Sequence, residues 1–200
     1  VNTDILKNTE IFHVGSLSLT DEPSRSATFF ALKKAKEFGK IISYDPNYRA
    51  LLWDSKEKAI EGMRSVLDYV DVMKLSDEET FLLTDVEEPQ AAAKVLLDRG
   101  MSIVAVTLGA DGAYICTKEG GAFVPGFAST VVDTTGAGDS FWGGFLYQLS
   151  KSGKRPEEIS LEEAKAFARF GNAVASLCVE KRGGIPAIPT MEQVEKRLNG

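Results

Sequence analysis

A glycine-rich stretch with one carboxylate is the part of this sequence best suited to chemistry. Residues 133–144 read DTTGAGDSFWGG. The apolar spacing of residues 140–150 is that of a helix, which places Gly136, Ala137 and Gly138 at a helix amino terminus. Glycine lets successive backbone N–H groups converge there, and the helix dipole adds partial positive charge. The stretch therefore predicts a pocket for a phosphate-like anion.

The carboxylate of Asp139 needs its own explanation, because a negative charge in such a pocket would repel the phosphate. In phosphoryl transfer, a carboxylate accepts the proton of the attacking hydroxyl while fixed donors neutralise charge on the transferring group. Asp139 is therefore a candidate general base. The residues leave a second interpretation open, in which Asp139 only caps the helix and the glycines only permit tight packing.

Composition and charge argue against several other classes of protein. The 200 residues are 44% hydrophobic, and 23 basic against 29 acidic residues give a net charge of −6. That balance provides no electrostatic footprint for nucleic acid or for an anionic membrane. Cys116 and Cys178 form no C-x-x-C pair, as is typical of a reducing compartment. His13 has no patterned partner for a triad or a zinc site, and we predict a structural residue at a strand end.

The amino end does not read as a signal peptide, and no apolar run approaches the ~18 residues of a membrane helix. We therefore expect a cytoplasmic protein without nucleic-acid or membrane partners.

Short apolar runs alternate with longer amphipathic ones, which predicts β-α units stacked around a mostly parallel sheet. Nothing marks a second domain. After a linker in the first ten residues, the predicted strands are 11–14, 40–45, 71–75 and 101–109, with helices at 23–39, 55–70, from 77 onward and at 88–100. Next come a hairpin (112–117 and 121–127, turning at Gly120 and Gly121), a strand (129–133) and helices at 140–150, 160–180 and 190–200.

The stretch VDTTGAGDSFWGGFL resembles the carboxyl-terminal signature of the ribokinase-like (PfkB-type) carbohydrate kinases. Further matching stretches follow the family's order: 42–49 (ISYDPNYR), 74–79 (KLSDEE), 106–113 (VTLGADGA) and 171–189. The resemblance covers essentially the whole chain and is strongest to bacterial fructokinases. It implies a three-layer α/β/α core in which residues 1–200 form the nucleotide-binding and catalytic part, without the family's amino-terminal strands and lid.

The resemblance assigns the catalytic residues directly. Gly136, Ala137 and Gly138 would form the anion hole for the transferring phosphoryl group, and Asp139 would take the proton from the primary hydroxyl of a sugar. Asp133 and Thr135 resemble positions that help to hold a monovalent cation, K⁺, in some members of the family. A plain turn role for Asp133 is an equal alternative.

Three further positions are candidates for holding phosphate or metal. KLSDEE resembles the family's N-x-x-E element, so Glu79 would support Mg²⁺ through water, with Ser76 in the place of Asn; the alternative is an ordinary capping box. Lys74 would balance phosphate charge, unless it is a solvated surface lysine. Arg49 lies just past a strand end, where it would clamp substrate or γ-phosphate or else pair with a nearby acid.

The segment VTLGADGA resembles the family's adenosine side, with Thr107, Gly109 and Gly112 as nucleotide-binding candidates. A strand followed by a glycine turn would look the same without any ligand. Asn172 matches a position that lines the adenine pocket in relatives; the alternative is a helix-surface or interhelical hydrogen bond. The aromatic residues of the predicted helix at 140–150 are expected in the core: Phe141, Trp142 and Phe145.

By this resemblance, the activity is ATP-dependent transfer of the γ-phosphate to the primary hydroxyl of D-fructose, with ATP and Mg²⁺ required. A kinase for ribose or 2-keto-3-deoxygluconate, or a non-catalytic sugar- or nucleotide-binding paralogue, remains open, although the intact GAGD argues against the last. Without the family's amino-terminal portion we expect the isolated chain to be inactive and one sheet edge to be exposed. Relatives often dimerise, so a homodimer is one assembly that the resemblance implies.

Overall fold

One six-stranded sheet organises the computed structural model, which describes residues 1–200. The strands lie side by side in chain order: β1 (Ile11–Gly15), β2 (Ile41–Asp45), β3 (Val72–Ser76), β4 (Ile103–Thr107), β5 (Gly112–Thr117) and β6 (Gly120–Pro125). Strands β1 to β4 are parallel, and β5 and β6 form an antiparallel hairpin at one edge. The four parallel strands therefore end at a common carboxyl edge, where open α/β sheets bind ligands.

Eight α-helices accompany the sheet: α1 (Thr3–Asn8), α2 (Ser24–Glu37), α3 (Lys56–Arg64), α4 (Thr80–Thr84), α5 (Pro89–Asp98), α6 (Ala137–Ser152), α7 (Leu161–Cys178) and α8 (Met191–Asn199). Helices α2 to α5 connect neighbouring parallel strands. Because such crossovers are right-handed, they all lie on one face of the sheet. Helices α6 and α7 pack on the other face, which completes the predicted three-layer α/β/α arrangement.

Alternate side chains of each parallel strand contribute to two hydrophobic cores, one on each face of the sheet. Ile42 and Tyr44 belong to a cluster of 22 buried residues beneath α2 to α5, whereas Ile41 faces a cluster of 15 beneath α6 and α7. Successive strand residues point to opposite faces, so each parallel strand contributes to both layers. Phe141, Trp142 and Phe145 lie in the second cluster, as predicted.

Two of the predicted helices, at 160–180 and 190–200, begin at capping boxes. Ser160 with Glu163 and Thr190 with Gln193 form the capping boxes that open α7 and α8. Both cysteines are buried and free. None of the helices combines the length and the apolar character needed to cross a bilayer.

The predicted strand at 129–133 is wrong. The amides of Val132 and Asp133 both donate to the carbonyl of Val179, at 2.7 and 3.2 Å, instead of to a neighbouring strand. The valines of this segment remain largely exposed, so the segment lacks the two-sided burial that its β-branched residues suggested.

The predicted turn at Gly120 and Gly121 is also wrong, because both glycines belong to β6 and pair with Thr117 and Cys116. A side chain at Gly121 would overlap the Tyr114 hydroxyl, which explains that glycine by packing. Two smaller corrections concern helices. The first ten residues contain α1 instead of a plain linker, and α3 ends at Arg64, followed by a separate 3₁₀ turn at Leu67–Tyr69.

Candidate active site

The amino terminus of α6 presents unpaired backbone donors at the carboxyl edge of the sheet. Gly136 is the N-cap residue, with φ at 80°, a left-handed conformation that glycine adopts without strain. Ala137 N–H donates to Thr134 and Ser140 N–H donates back to Gly136, whereas the amides of Gly138 and Asp139 have no acceptor within the chain. These free donors and the helix dipole are the features predicted for an anion pocket.

A buried ion pair lies directly against this helix end. Lys74 Nζ is 3.1 Å from Asp45 Oδ2 and 3.3 Å from Oδ1. The Lys74 residue is only 6% exposed, so the surface-lysine alternative is wrong. A methyl group on Gly138 would lie 2.9 Å from Lys74 Nζ. The ammonium group therefore lies against the first turn of α6, where an anion would meet it.

The loop after β2 reaches the candidate base. Asn47 has a left-handed backbone (φ 47°), and its N–H donates to Asp45 Oδ1 at 3.1 Å. Its side-chain amide donates to Asp139 Oδ1 at 3.4 Å. Asp139 itself is exposed, so its carboxylate is open to a substrate while one oxygen contacts the Asn47 amide.

Glu79 is buried and holds this loop to the end of β3. Its carboxylate accepts from Tyr48 N–H at 2.6 Å and from Ser76 N–H at 2.8 Å. The predicted capping box is therefore present. Both oxygens are fixed by backbone amides and keep further lone pairs, an arrangement that fits a water-mediated contact with Mg²⁺. The metal role of Glu79 stays a prediction.

Arg49 is exposed beside this loop. Its guanidinium donates to the Tyr48 carbonyl at 2.9 Å, and none of the ion pairs includes it. The alternative in which Arg49 pairs with a nearby acid is therefore not observed, and its donors remain available to an anionic ligand.

A hydrogen-bonded chain that the sequence did not reveal lies beneath the same helix end. The indole Nε1–H of Trp142 donates to Ser43 Oγ at 2.8 Å, and Ser43 Oγ lies 3.0 Å from His13 Nδ1. The Ser43 hydroxyl therefore joins the indole to the imidazole, and the tautomer of His13 sets the direction of the second hydrogen bond. His13 is the middle residue of β1, not its end.

The pKa of His13 lies below its usual value. Partial burial lowers it most, the Asp139 charge raises it and the Lys74 charge lowers it. These opposing effects show that the imidazole senses the charges of the site.

Asp133 takes the turn role that was one of its two interpretations. Its carboxylate accepts from Gly183 N–H and from Thr135 N–H, both at 2.9 Å, and these bonds hold the pKa of Asp133 at about 2. The carbonyl of Thr135 accepts from the Cys178 thiol. No group of three or more His, Cys, Asp or Glu side chains could hold a metal ion. The monovalent-cation role of Asp133 and Thr135 stays a prediction that would draw on backbone carbonyls.

On the predicted nucleotide side, the structure gives two residues packing or hydrogen-bonding roles. A side chain at Gly112 would overlap the backbone of β6. Asn172 is buried and donates to the carbonyls of Val124 and Pro125 at 3.0 and 3.1 Å, so its partners lie in strand β6 and not in a neighbouring helix. Thr107 ends β4 and donates to a β3 carbonyl, and Gly109 has a left-handed φ of 58°. Their nucleotide contacts stay predictions.

Known proteins resemble this chain over nearly all of its length. The model of the family described as pfkB family carbohydrate kinase matches residues 1–191. Probable fructokinase-5 of Arabidopsis thaliana is 44% identical over 201 residues, which cover 99% of this chain and 61% of the relative. Fructokinase-2 of Oryza sativa subsp. japonica is 38% identical, covering 100% of this chain and 59% of the relative.

Two solved structures extend the likeness. A double mutant of fructokinase from Vibrio cholerae O395, in a form with fructose, ADP and potassium ion bound, superposes with a TM-score of 0.89 at 30% identity, covering 99% of this chain and 64% of that chain. Aminoimidazole riboside kinase from Salmonella enterica gives a TM-score of 0.83 at 30% identity, covering 95% and 63%. The chain thus spans less than two thirds of the length of these relatives.

Proposed function

The chain belongs to the pfkB family of carbohydrate kinases, and from that premise we propose that residues 1–200 form the nucleotide-binding and catalytic part of an ATP-dependent sugar kinase. One observation carries the proposal: the free amides of Gly138 and Asp139, the buried ammonium of Lys74 and the open carboxylate of Asp139 meet at the amino terminus of α6. These are an anion hole, a cation and a proton acceptor in one place.

The transfer itself needs few protein groups. The primary hydroxyl oxygen of the sugar attacks the γ-phosphorus of ATP, its proton passes to an Asp139 carboxylate oxygen, and the bond from the γ-phosphorus to the bridging oxygen breaks to release ADP. The first-turn amides and Lys74 stabilise negative charge on the transferring oxygens. Asn47 keeps one Asp139 oxygen engaged and leaves the other free to accept the proton.

Metal ions fit around this arrangement. When bound, Mg²⁺ supplies neutralisation of the phosphate charges, and Glu79 would hold it through water. Asp133 and Thr135 would help to hold K⁺, in the segment before α6 to which Gly183 N–H donates. Thr107, Gly109, Gly112 and Asn172 would form the wall on which the adenosine lies.

We propose D-fructose as the acceptor, with fructose 6-phosphate as the product, in a cytoplasmic enzyme whose partners are small molecules and a second copy of itself. Sequence identity of 38–44% to plant fructokinases and the fold likeness to a fructose-bound fructokinase support this choice. A riboside kinase is the second candidate, because the aminoimidazole riboside kinase of Salmonella enterica has the same 30% identity.

The test is ATP-dependent phosphorylation of fructose, ribose, aminoimidazole riboside, glucose and 2-keto-3-deoxygluconate by the protein expressed from its complete gene. We expect a kcat/KM for fructose well above that for every other acceptor. Preference for a riboside would keep the chemistry and replace the substrate. Absence of turnover on all acceptors, with MgATP bound, would overturn the kinase proposal in favour of a binding protein.

A further inference from the structure

The Asp45 carboxylate connects two groups that approach the reacting end of α6. Both of its oxygens contact Lys74 Nζ, at 3.1 and 3.3 Å, and Oδ1 also accepts from Asn47 N–H at 3.1 Å. The Lys74 ammonium lies against Gly138, and the Asn47 side-chain amide donates to Asp139. One carboxylate therefore links the cation at the anion pocket with the donor on the candidate base.

We propose that Asp45 is a positioning residue of the phosphoryl-transfer site. It holds the Lys74 ammonium at the first turn of α6, and it holds Asn47 in the backbone conformation from which the side-chain amide orients Asp139. This inference rests on the proposed function and adds a residue that touches neither sugar nor nucleotide.

Burial argues that the ion pair is retained for function rather than for stability. The side chains of Lys74 and Asp45 are 8% and 5% exposed. Removing two charges from water is costly, and apolar replacements of buried ion pairs are often at least as stable. The pair also lies against a helix terminus at which the amides of Gly138 and Asp139 have no acceptor within the chain. A role in placing the ammonium accounts for both facts.

The backbone of Asn47 gives independent support. A φ of 47° is unfavourable for most residues with a side chain, and Asn is among the few that tolerate it. Such conformations persist where the surroundings enforce them, and they cluster at functional sites. Here the enforcing contact is the bond from Asn47 N–H to Asp45, and its result is the contact between the amide and Asp139.

Charge at Asp45 is sensitive to pH in the range where kinases are assayed. Burial raises the pKa of Asp45 to about 6, the Lys74 ammonium lowers it, and the charges of Glu79 and Asp139 raise it. As pH falls through about 6, Asp45 takes up a proton and its attraction for Lys74 weakens. The proposal therefore predicts an acid limb in turnover that depends on residue 45.

Two variants separate the two links, in the protein expressed from its complete gene. Asp45→Asn keeps the shape and an oxygen for Asn47 N–H, but removes the charge that holds Lys74. Asn47→Gly keeps a residue suited to positive φ and removes the side-chain amide.

The matched control is Asp71→Asn. Asp71 has a comparable but more exposed arrangement at the amino-terminal ends of the strands, where Oδ1 lies 2.8 Å from Lys36 Nζ and Oδ2 accepts from Ile42 N–H at 2.7 Å. A general effect of losing such a carboxylate on the fold would appear in both Asp variants.

Calorimetric affinities for MgADP and for MgADP with aluminium fluoride, a mimic of the transferring phosphoryl group, give a readout besides turnover. For Asp45→Asn we expect affinity for the mimic to fall about tenfold or more, with MgADP affinity within about twofold. The fall in kcat between about pH 7 and 5.5 should disappear in this variant. Asn47→Gly should lower kcat about tenfold while retaining both affinities. Asp71→Asn should change neither kcat nor either affinity by more than about twofold.

The inference would be overturned if Asp45→Asn unfolds cooperatively and binds the mimic with wild-type affinity. It would also be overturned if Asp71→Asn loses as much affinity for the mimic as Asp45→Asn does. If Asp45→Asn does not fold, Asn47→Gly decides: unchanged kcat overturns the orientation of Asp139 by this network. Failure of the wild type to bind MgADP or to phosphorylate any sugar is a different result, because it overturns the proposed function and this inference with it.

Discussion

Replacing Gly138 with alanine tests the arrangement of the anion pocket with the smallest possible change. The new methyl carbon would lie 2.9 Å from Lys74 Nζ and 3.5 Å from its Cε. Non-bonded heavy atoms pack at about 3.5 Å or more, so the ammonium must retreat by roughly 0.6 Å. Lys74 cannot swing into solvent without leaving Asp45, because the pair is buried.

The expected effects on stability and on activity differ in size. Alanine gains about 1 kcal/mol over glycine in a helix, and crowding in a packed site costs about 1–3 kcal/mol. The free energy of unfolding should therefore fall by no more than about 2 kcal/mol. Because a misplacement of about 1 Å near reacting groups can cost about 100-fold in rate, kcat should fall about ten- to hundredfold.

The assay is a coupled measurement of ADP release with kcat and the KM for ATP determined separately, alongside urea unfolding. Gly143→Ala is the control: this glycine lies in the same helix, is exposed, and has no heavy atom within 4 Å of the added carbon. It should gain up to about 1 kcal/mol of stability with unchanged kcat. A Gly138→Ala variant with wild-type kcat, or a loss that Gly143→Ala reproduces, would refute the reasoning.

Asp139→Asn should lower kcat about 10²–10⁴-fold with nucleotide affinity nearly unchanged, because the proton acceptor is lost and positioning survives; wild-type turnover would remove Asp139 as the base. Gly171→Ala should destabilise the fold by up to about 2 kcal/mol in urea unfolding, since its methyl group would lie 2.7 Å from the Phe141 carbonyl oxygen and this crowding exceeds the helix gain of about 1 kcal/mol; a stabilised variant would contradict this contact. Asp133 has a pKa of about 2 because backbone amides, that of Gly183 first, donate to it, so its stabilising contribution is present above about pH 4 and is lost as pH falls through 2. Asp133→Asn should therefore reduce the difference in unfolding free energy between about pH 5 and pH 2.5, and an unchanged difference would show that these bonds do not act on stability.

Much of the fold could be predicted from local patterns. The alternation of short apolar runs with amphipathic segments predicted the parallel sheet with flanking helices, and the helix predicted from residue 160 begins there at the Ser160 N-cap. The strand predicted at 129–133 is wrong, because β-branched residues indicate a preference for strand conformation but not whether a neighbouring strand is available for pairing. The turn predicted at Gly121 is wrong for a similar reason. The glycine is needed because the Tyr114 hydroxyl occupies the space of a side chain, and the sequence does not show that contact.

By itself, the sequence determined where the candidate site lies, the helix amino terminus at Gly136 to Asp139, since dipole, free amides and carboxylate are all local to a single turn. Tertiary structure alone decided which distant groups join it. Asp45 contacts both Lys74, which lies against Gly138, and Asn47, which contacts Asp139, because β2 and β3 are adjacent parallel strands that end at one edge of the sheet. Adjacency in a sheet depends on crossover connections and burial summed over the whole chain, so no short stretch of sequence encodes it.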